Sequence, residues 1–192
     1  MSCKEIYAVF DTSGSNIEYG KSRLNRNLLR TLKQLSFVGN KKEYACVDFK
    51  YFLLNTSLTE ISEKITKDPC EDVPAFKSSG KAELSQLNLF IREKISTAKN
   101  LCVLFFSDGN FDVENAQCLA KTLEENKQVH LIVIPIGMDA NLKVVNLIKG
   151  VVCTPDNILS AVDLAITFLF GKVKMPKSLD ELSEISVEDL FS

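Results

Sequence analysis

The sequence has no tryptophan and a single histidine, His130, which starves most histidine-based catalysis of parts. Its cysteines, at positions 3, 46, 70, 102, 118 and 153, include no C-x-x-C pair and have no histidine cluster beside them. That pattern argues against a zinc centre. Reduced cysteines in a cytoplasmic protein are expected. A secreted disulfide framework is the alternative, but the opening Met1-Ser2-Cys3-Lys4-Glu5 shows no signal-peptide core. Neither charge sign dominates. With 23 basic and 25 acidic residues the net charge is −2, which leaves no footprint for nucleic acid or an anionic membrane surface. No apolar run approaches the roughly 20 residues that cross a bilayer. There is also no G-x-x-x-x-G-K-S/T nucleotide loop, no G-x-G-x-x-G turn and no G-x-S-x-G elbow.

What is present is ordinary globular composition: 192 residues, 45% apolar and 25% charged, enough for one domain with its own core. The pattern alternates strand and helix. Ile6–Phe10 reads as a buried strand. Leu24, Leu28, Leu32 and Leu35 mark an amphipathic helix ending near Gly39. Tyr44–Phe49 and Tyr51–Leu54 read as two strands separated by Lys50, and Thr59–Thr66 as a short helix capped by Thr59. Leu84, Leu87, Ile91 and Ile95 form a second helical stripe. Leu101–Phe106, the most apolar run, suits a strand covered on both faces. Helices over about 113–126, 142–148 and 156–170 alternate with strands at Val129–Ile136 and Val151–Cys153. Such alternation predicts βαβ units in a doubly wound three-layer α/β sandwich. All parallel strand ends then share one edge, where ligands bind. The domain is expected over 1–171. Residues 172–192 read as an acidic amphipathic tail, either frayed or docking on a partner or a second copy through Asp180, Glu181, Glu184, Glu188 and Asp189.

Two strand ends carry carboxylates. Asp11-Thr12-Ser13-Gly14-Ser15 fits D-x-S-x-S directly after the first strand, and Asp108 stands one residue beyond Ser107. Two readings of the loop stand side by side. Asp11, Ser13 and Ser15, with Asp108 across the edge, offer the hard oxygens that a Mg²⁺-type ion requires. Equally, Ser13 and Ser15 are suited to capping the following helix, with Asp11 as a turn residue.

Asp11-Thr12-Ser13-Gly14-Ser15 after Val9-Phe10, together with Phe106-Ser107-Asp108-Gly109, resembles a von Willebrand factor A (vWA) domain with its metal-ion-dependent adhesion site (MIDAS) over about residues 4–171. Within that family, Ile136-Gly137-Met138-Asp139-Ala140-Asn141, Leu147-Ile148 and Val151-Val152 resemble the small bacterial TerY-type proteins of tellurite and stress operons. The resemblance implies a mostly parallel central sheet with one antiparallel edge strand. It also implies an ion, Mg²⁺ or else Mn²⁺ or Ca²⁺, held by Asp11, Ser13, Ser15 and Asp108, to which a partner's Asp or Glu binds. One departure stands out. Where the family places a metal-binding Thr, Gly80-Lys81-Ala82-Glu83-Leu84 has Ala82, which offers no oxygen. Lys81 beside it would oppose a cation if it pointed inward, and Ser78 or Ser79 is a possible stand-in ligand.

Asp112 is expected to cap the next helix, and His130 to be structural. A phosphoryl-transfer enzyme would need a second acid two residues after Asp11, where Ser13 stands, so no enzymatic activity is expected. The expected function is a cytoplasmic protein–protein interaction module in a bacterial stress or tellurite-resistance system. Its working surface is built from loops 11–20, 78–83 and 107–112. The alternative is a scaffold of the same shape with a degenerate ion site.

Overall fold

The computed structural model describes residues 4–38, 47–66, 68 and 70–171. Six strands form one sheet: β1 (Lys4–Asp11), β2 (Val47–Leu54), β3 (Leu58–Glu60), β4 (Leu101–Ser107), β5 (Val129–Pro135) and β6 (Val151–Val152), in the order β3-β2-β1-β4-β5-β6. All neighbours are parallel except β2 and β3, so β3 is an antiparallel edge strand. Among the described residues five α-helices accompany them: α1 (Lys21–Val38), α2 (Leu84–Ile95), α3 (Val113–Glu125), α4 (Leu142–Leu147) and α5 (Ile158–Phe170).

Side-chain alternation divides the core into two layers. Ile6, Ala8 and Phe10 of β1, Cys102, Leu104 and Phe106 of β4, and Ile132 and Ile134 of β5 pack against α1 and α5. Tyr7 and Val9, Leu101, Val103 and Phe105, and Leu131 and Val133 pack against α2, α3 and α4. A strand covered on both faces has no polar position to spare, which is why β4 is buried at all seven residues. The helical stripes fall where the leucine spacing puts them: Leu28 and Leu32 of α1 and Leu87 and Ile91 of α2 are buried against the sheet.

Two expected elements are corrected. The described part of the 44–54 region is one strand, β2, with Lys50 inside it. Its exposed Asp48 and half-buried Lys50 alternate with buried Val47, Phe49 and Tyr51, and the two charged side chains pair at 3.0 Å. The expected helix over Thr59–Thr66 is instead β3 followed by a single 3₁₀ turn, Ser62–Lys64, because pairing of Leu58–Glu60 with β2 satisfies the backbone there. Tyr44–Cys46, Cys3 and the tail 172–192 lie outside the described residues. Of the described cysteines, all free, Cys102 is buried, Cys153 half-buried, and Cys70 and Cys118 exposed. Among the described residues no helix is long and apolar enough to cross a membrane.

The chain leaves β1 for β2 on one side and returns to β4 on the other. The strand order therefore reverses between β1 and β4, and their C-terminal ends open a crevice.

Candidate metal centre at the sheet edge

Parallel pairing sets Phe10 beside Phe106, and their rings stack at 4.4 Å in the core layer under α1 and α5. Asp11 and Ser107 therefore leave the sheet side by side, and Ser107 Oγ donates to Asp11 Oδ2 at 2.7 Å. The Ser13 backbone N–H donates to Asp11 Oδ1 at 2.8 Å. Asp11 is only 1% exposed. Burial pushes its pKa above the ordinary carboxylate range against those hydrogen bonds, and the nearby Asp108 charge adds to the rise.

The loop after Asp11 is tied to its neighbours by backbone bonds. Thr12 N–H and hydroxyl both donate to Leu54 O, at 2.9 and 3.0 Å. Ser79 N–H donates to Thr12 O at 3.0 Å, and Gly14 N–H to Gly80 O at 2.8 Å. A side chain at position 14 would lie 3.3 Å from that Gly80 carbonyl, so glycine permits the close approach. The turn brings Ser13 Oγ and Ser15 Oγ to 3.0 Å, while Asn16 Nδ2 donates to Ser13 Oγ. Neither serine caps a helix by side-chain hydrogen bond at the following 3₁₀ segment, Gly14–Gly20.

Asp108, 3% exposed, faces the same crevice. Its Oδ1 accepts from Asn110 N–H at 3.1 Å, and its Oδ2 receives the ammonium of Lys21 at 2.9 Å. Lys21 is 1% exposed and also reaches Asp139 Oδ2 at 2.8 Å. Burial works against the ammonium, but hydrogen bonds to Asp139 and Asp108 outweigh it and raise the lysine's pKa. The chain turns into α1 through two successive left-handed residues, Tyr19 at φ 51° and Gly20 at φ 72°, immediately before Lys21.

All four residues singled out in the sequence thus belong to the loops of one sheet edge. Lys21, Ser107, Asn16 and Asn25 were missed. A lysine at a helix start looks solvated in sequence, and no spacing rule connects it to a carboxylate 87 positions away. Asp112 is corrected: it occupies the N-cap of α3, but its carboxylate accepts from Lys81 at 2.7 Å instead of capping. That pairing keeps the exposed Lys81 ammonium on Asp112. Ala82 is buried in the apolar layer with Phe52, Leu84 and Leu87, and brings no oxygen.

The residues fit a hard divalent ion on one side of the crevice. Adjacent oxygens in an octahedral shell with bonds of about 2.0–2.1 Å lie about 2.9–3.0 Å apart, as the two serine hydroxyls do. Among the described residues, no cationic side chain hydrogen-bonds the buried Asp11 carboxylate. Among the described residues, the buried Asn16 Oδ1 and Asn25 Oδ1 and the shielded Ser78 Oγ have no hydrogen-bond partner; the amide nitrogens of the two asparagines reach Ser13 Oγ and Asp11 O. On the other side Asp108 is engaged by Lys21. Among the described residues no three His, Cys, Asp or Glu side chains converge on one point, so an ion here would depend on hydroxyls and water.

No protein-family model and no curated protein sequence matches the chain. Solved structures do resemble it. The ArnB paralog VWA2 from Sulfolobus acidocaldarius superposes with a TM-score of 0.61 at 19% identity, covering 88% of this chain and 45% of that one. Manganese-loaded TRAP from Plasmodium vivax gives 0.59 at 15%, covering 86% and 74%. Proximal thread matrix protein 1 from the mussel byssus, with its MIDAS motif occupied by zinc, gives 0.54 at 16%, covering 86% and 46%. The chain spans less than half the length of two of these three. At such identities the likeness shows the fold alone: a six-stranded, mostly parallel sheet with one antiparallel edge strand between helical layers, the architecture of von Willebrand factor A domains.

Proposed function

We propose that this chain is a vWA-type interaction module that recognises a protein carboxylate at the β1–β4 crevice through a divalent ion. The observation that carries the reading is the buried, cation-free carboxylate of Asp11 beside two hydroxyls at 3.0 Å. Asp11, Ser13 and Ser15 would hold the ion, with Asp108 beyond them, and Mg²⁺ or Mn²⁺ suits that donor set. When bound, the ion supplies a positive centre for a partner's Asp or Glu. The chain's own residues set the rest. The stacked Phe10 and Phe106 anchor the two strand ends in the core, and the backbone bonds of Thr12 and Gly14 hold the loop that carries the hydroxyls. Exposed Ile17, Tyr19 and Met138 on the surrounding loops provide apolar contact area for that partner. Binding rather than catalysis is supported by Ser13, which stands where a phosphoryl-transfer site would need an acid. The resemblance of Ile136–Asn141 to TerY-type proteins supports a role in a cytoplasmic bacterial stress or tellurite-resistance system.

Calorimetric titration of Mn²⁺ into the wild type and into Ser13→Ala tests the ion. The wild type should bind one ion, and the variant should lose about tenfold or more in affinity, roughly one strong ligand's worth. Wild type that takes up no Mn²⁺ at millimolar concentration would overturn the reading. It would favour the second one, a scaffold with a degenerate site, which rests on the buried methyl of Ala82.

A further inference from the structure

We infer that Lys21 is a built-in cation of this crevice: its ammonium sequesters Asp108 in an internal ion pair, which restrains the affinity for divalent ions and holds the rim together without one. The inference rests on the ion reading above and concerns a residue that reading does not use.

Three observations carry it. The first is burial. Lys21 is 1% and Asp108 3% exposed, so their 2.9 Å contact lies where charges interact strongly and cannot be traded cheaply for water. The second is connectivity. Lys21 begins α1, Asp108 follows β4 and Asp139 follows β5, so a single ammonium ties the start of α1 to two loops that are themselves joined by the Asn141 N–H to Asp108 O bond at 2.7 Å. The third is the space made for it. Gly137 has φ 94°, and a side chain there would come within 2.6 Å of Lys21 Cε and 2.7 Å of Asp139 Oδ1. The loop after β5 therefore passes directly against the lysine stem, in a conformation suited to glycine.

The electrostatic consequence follows. Two carboxylates, Asp11 and Asp108, meet at this edge, because Ser107, whose hydroxyl donates to Asp11 Oδ2 at 2.7 Å, is the residue before Asp108. An ion drawing on both would be favoured by both charges. With Lys21 on Asp108 the ion meets one free carboxylate and a nearby positive charge. To draw on Asp108 Oδ2 it must displace the ammonium, which retains Asp139, a 44% exposed partner, as an alternative, and at Oδ1 it meets a carboxylate whose charge the ammonium already offsets. The lysine and the ion thus compete for one carboxylate.

The test is Mn²⁺ titration of three purified proteins, each with the 192 residues of this chain, with folding checked by thermal melting in EDTA. Lys21→Gln removes the charge but keeps an amide that donates to Asp108. It should bind Mn²⁺ about tenfold more tightly than the wild type, and its melting temperature should rise more on adding the ion. The second variant, Lys21→Met with Asp108→Asn, replaces the whole pair by neutral groups and leaves no buried charge unpaired. Its Mn²⁺ affinity should stay within about twofold of wild type, because a carboxylate already neutralised contributes little. Weaker or unchanged binding by Lys21→Gln, or a loss of about tenfold or more in the double variant, would overturn the inference by showing that Lys21 prepares Asp108 for the ion. If Lys21→Gln fails to fold, the double variant decides alone. The ion reading itself fails on a distinct result, a wild type that takes up no Mn²⁺ at millimolar concentration, whatever the two variants do.

Discussion

His130, the one imidazole, shows how burial alone sets a titration. It sits at the second position of β5, opposite Cys102, and stacks on the Phe168 ring of α5 at 4.6 Å, at the end of the sheet away from the crevice. Burial lowers its pKa below the usual 6.5. The unfolded chain therefore takes up its proton first as pH falls. The cost to the folded state begins near the unfolded value and is complete once pH has passed through the lowered folded value. His130→Phe keeps a ring against Phe168 and removes the proton. Chemical denaturation at pH 7 and pH 5 should show a smaller stability loss in the variant than in wild type. Equal losses would mean that the imidazole titrates as freely in the folded protein as in the unfolded chain. The residue scale also marks the limit of reading sequence. Asp11, Ser13, Ser15 and Asp108 were legible because acids and small hydroxyls interrupt apolar strands at their ends. Lys21 was not, because its role is created by the left-handed Tyr19–Gly20 pair that aims the start of α1 inward, and nothing in local composition announces that turn.

At the scale of elements, the loop from β4 to α3 is held by glycine for two separable reasons. Gly109 has φ 74°, and a side chain there would meet Val145 Cγ2 at 2.7 Å and Asn141 O at 2.8 Å. The adjacent Asp108 carbonyl accepts from Asn141 N–H at 2.7 Å, so the loop is pressed against the start of α4. Gly20 has a similar φ of 72° with nothing within 4 Å. Gly20→Ala should cost about 1–2 kcal/mol, the left-handed penalty alone. Gly109→Ala should cost about 1–3 kcal/mol more, because packed backbone and Val145 must move. Denaturant midpoints for the pair read the difference, and equal costs would show that α4 yields freely. Elements with a strong period were legible: the leucine stripes of α1 and α2 and the apolar runs of β1 and β4 follow from side-chain spacing. β3 was not. Three residues carry no period, and Leu58–Glu60 becomes a strand only because β2 offers it an edge. Lys50 misled for a related reason: in a strand with one solvated position in two, a charge is part of the alternation rather than a break.

For the molecule as a whole, the crevice is built on the strands with most support. β1 is paired on both sides, by β2 and β4, and β4 by β1 and β5, whereas β3 and β6 are short edges with no fully buried residue. Local opening energies range from near zero at poorly supported edges to the full unfolding free energy in core strands. Native-state hydrogen exchange should therefore find the slowest amides in β1 and β4, for example Val9 and Leu104, each 0% exposed. Amides in β3 and β6 should exchange at least about a hundredfold faster. This ordering bears on function. A site floored by the last structure to open presents Asp11 and its hydroxyls in one geometry, so an arriving ion or carboxylate need not order the protein first. The lips are different, because they are loops joined by one lysine and a few backbone bonds. Adding Mn²⁺ should slow exchange in residues 12–20 and 108–112 by closing local openings, and should slow the last-opening amides of β1 and β4 only by the factor that the ion's binding adds to global stability. Slowing in β1 and β4 with none in residues 12–20 and 108–112 would mean that the ion binds away from this edge.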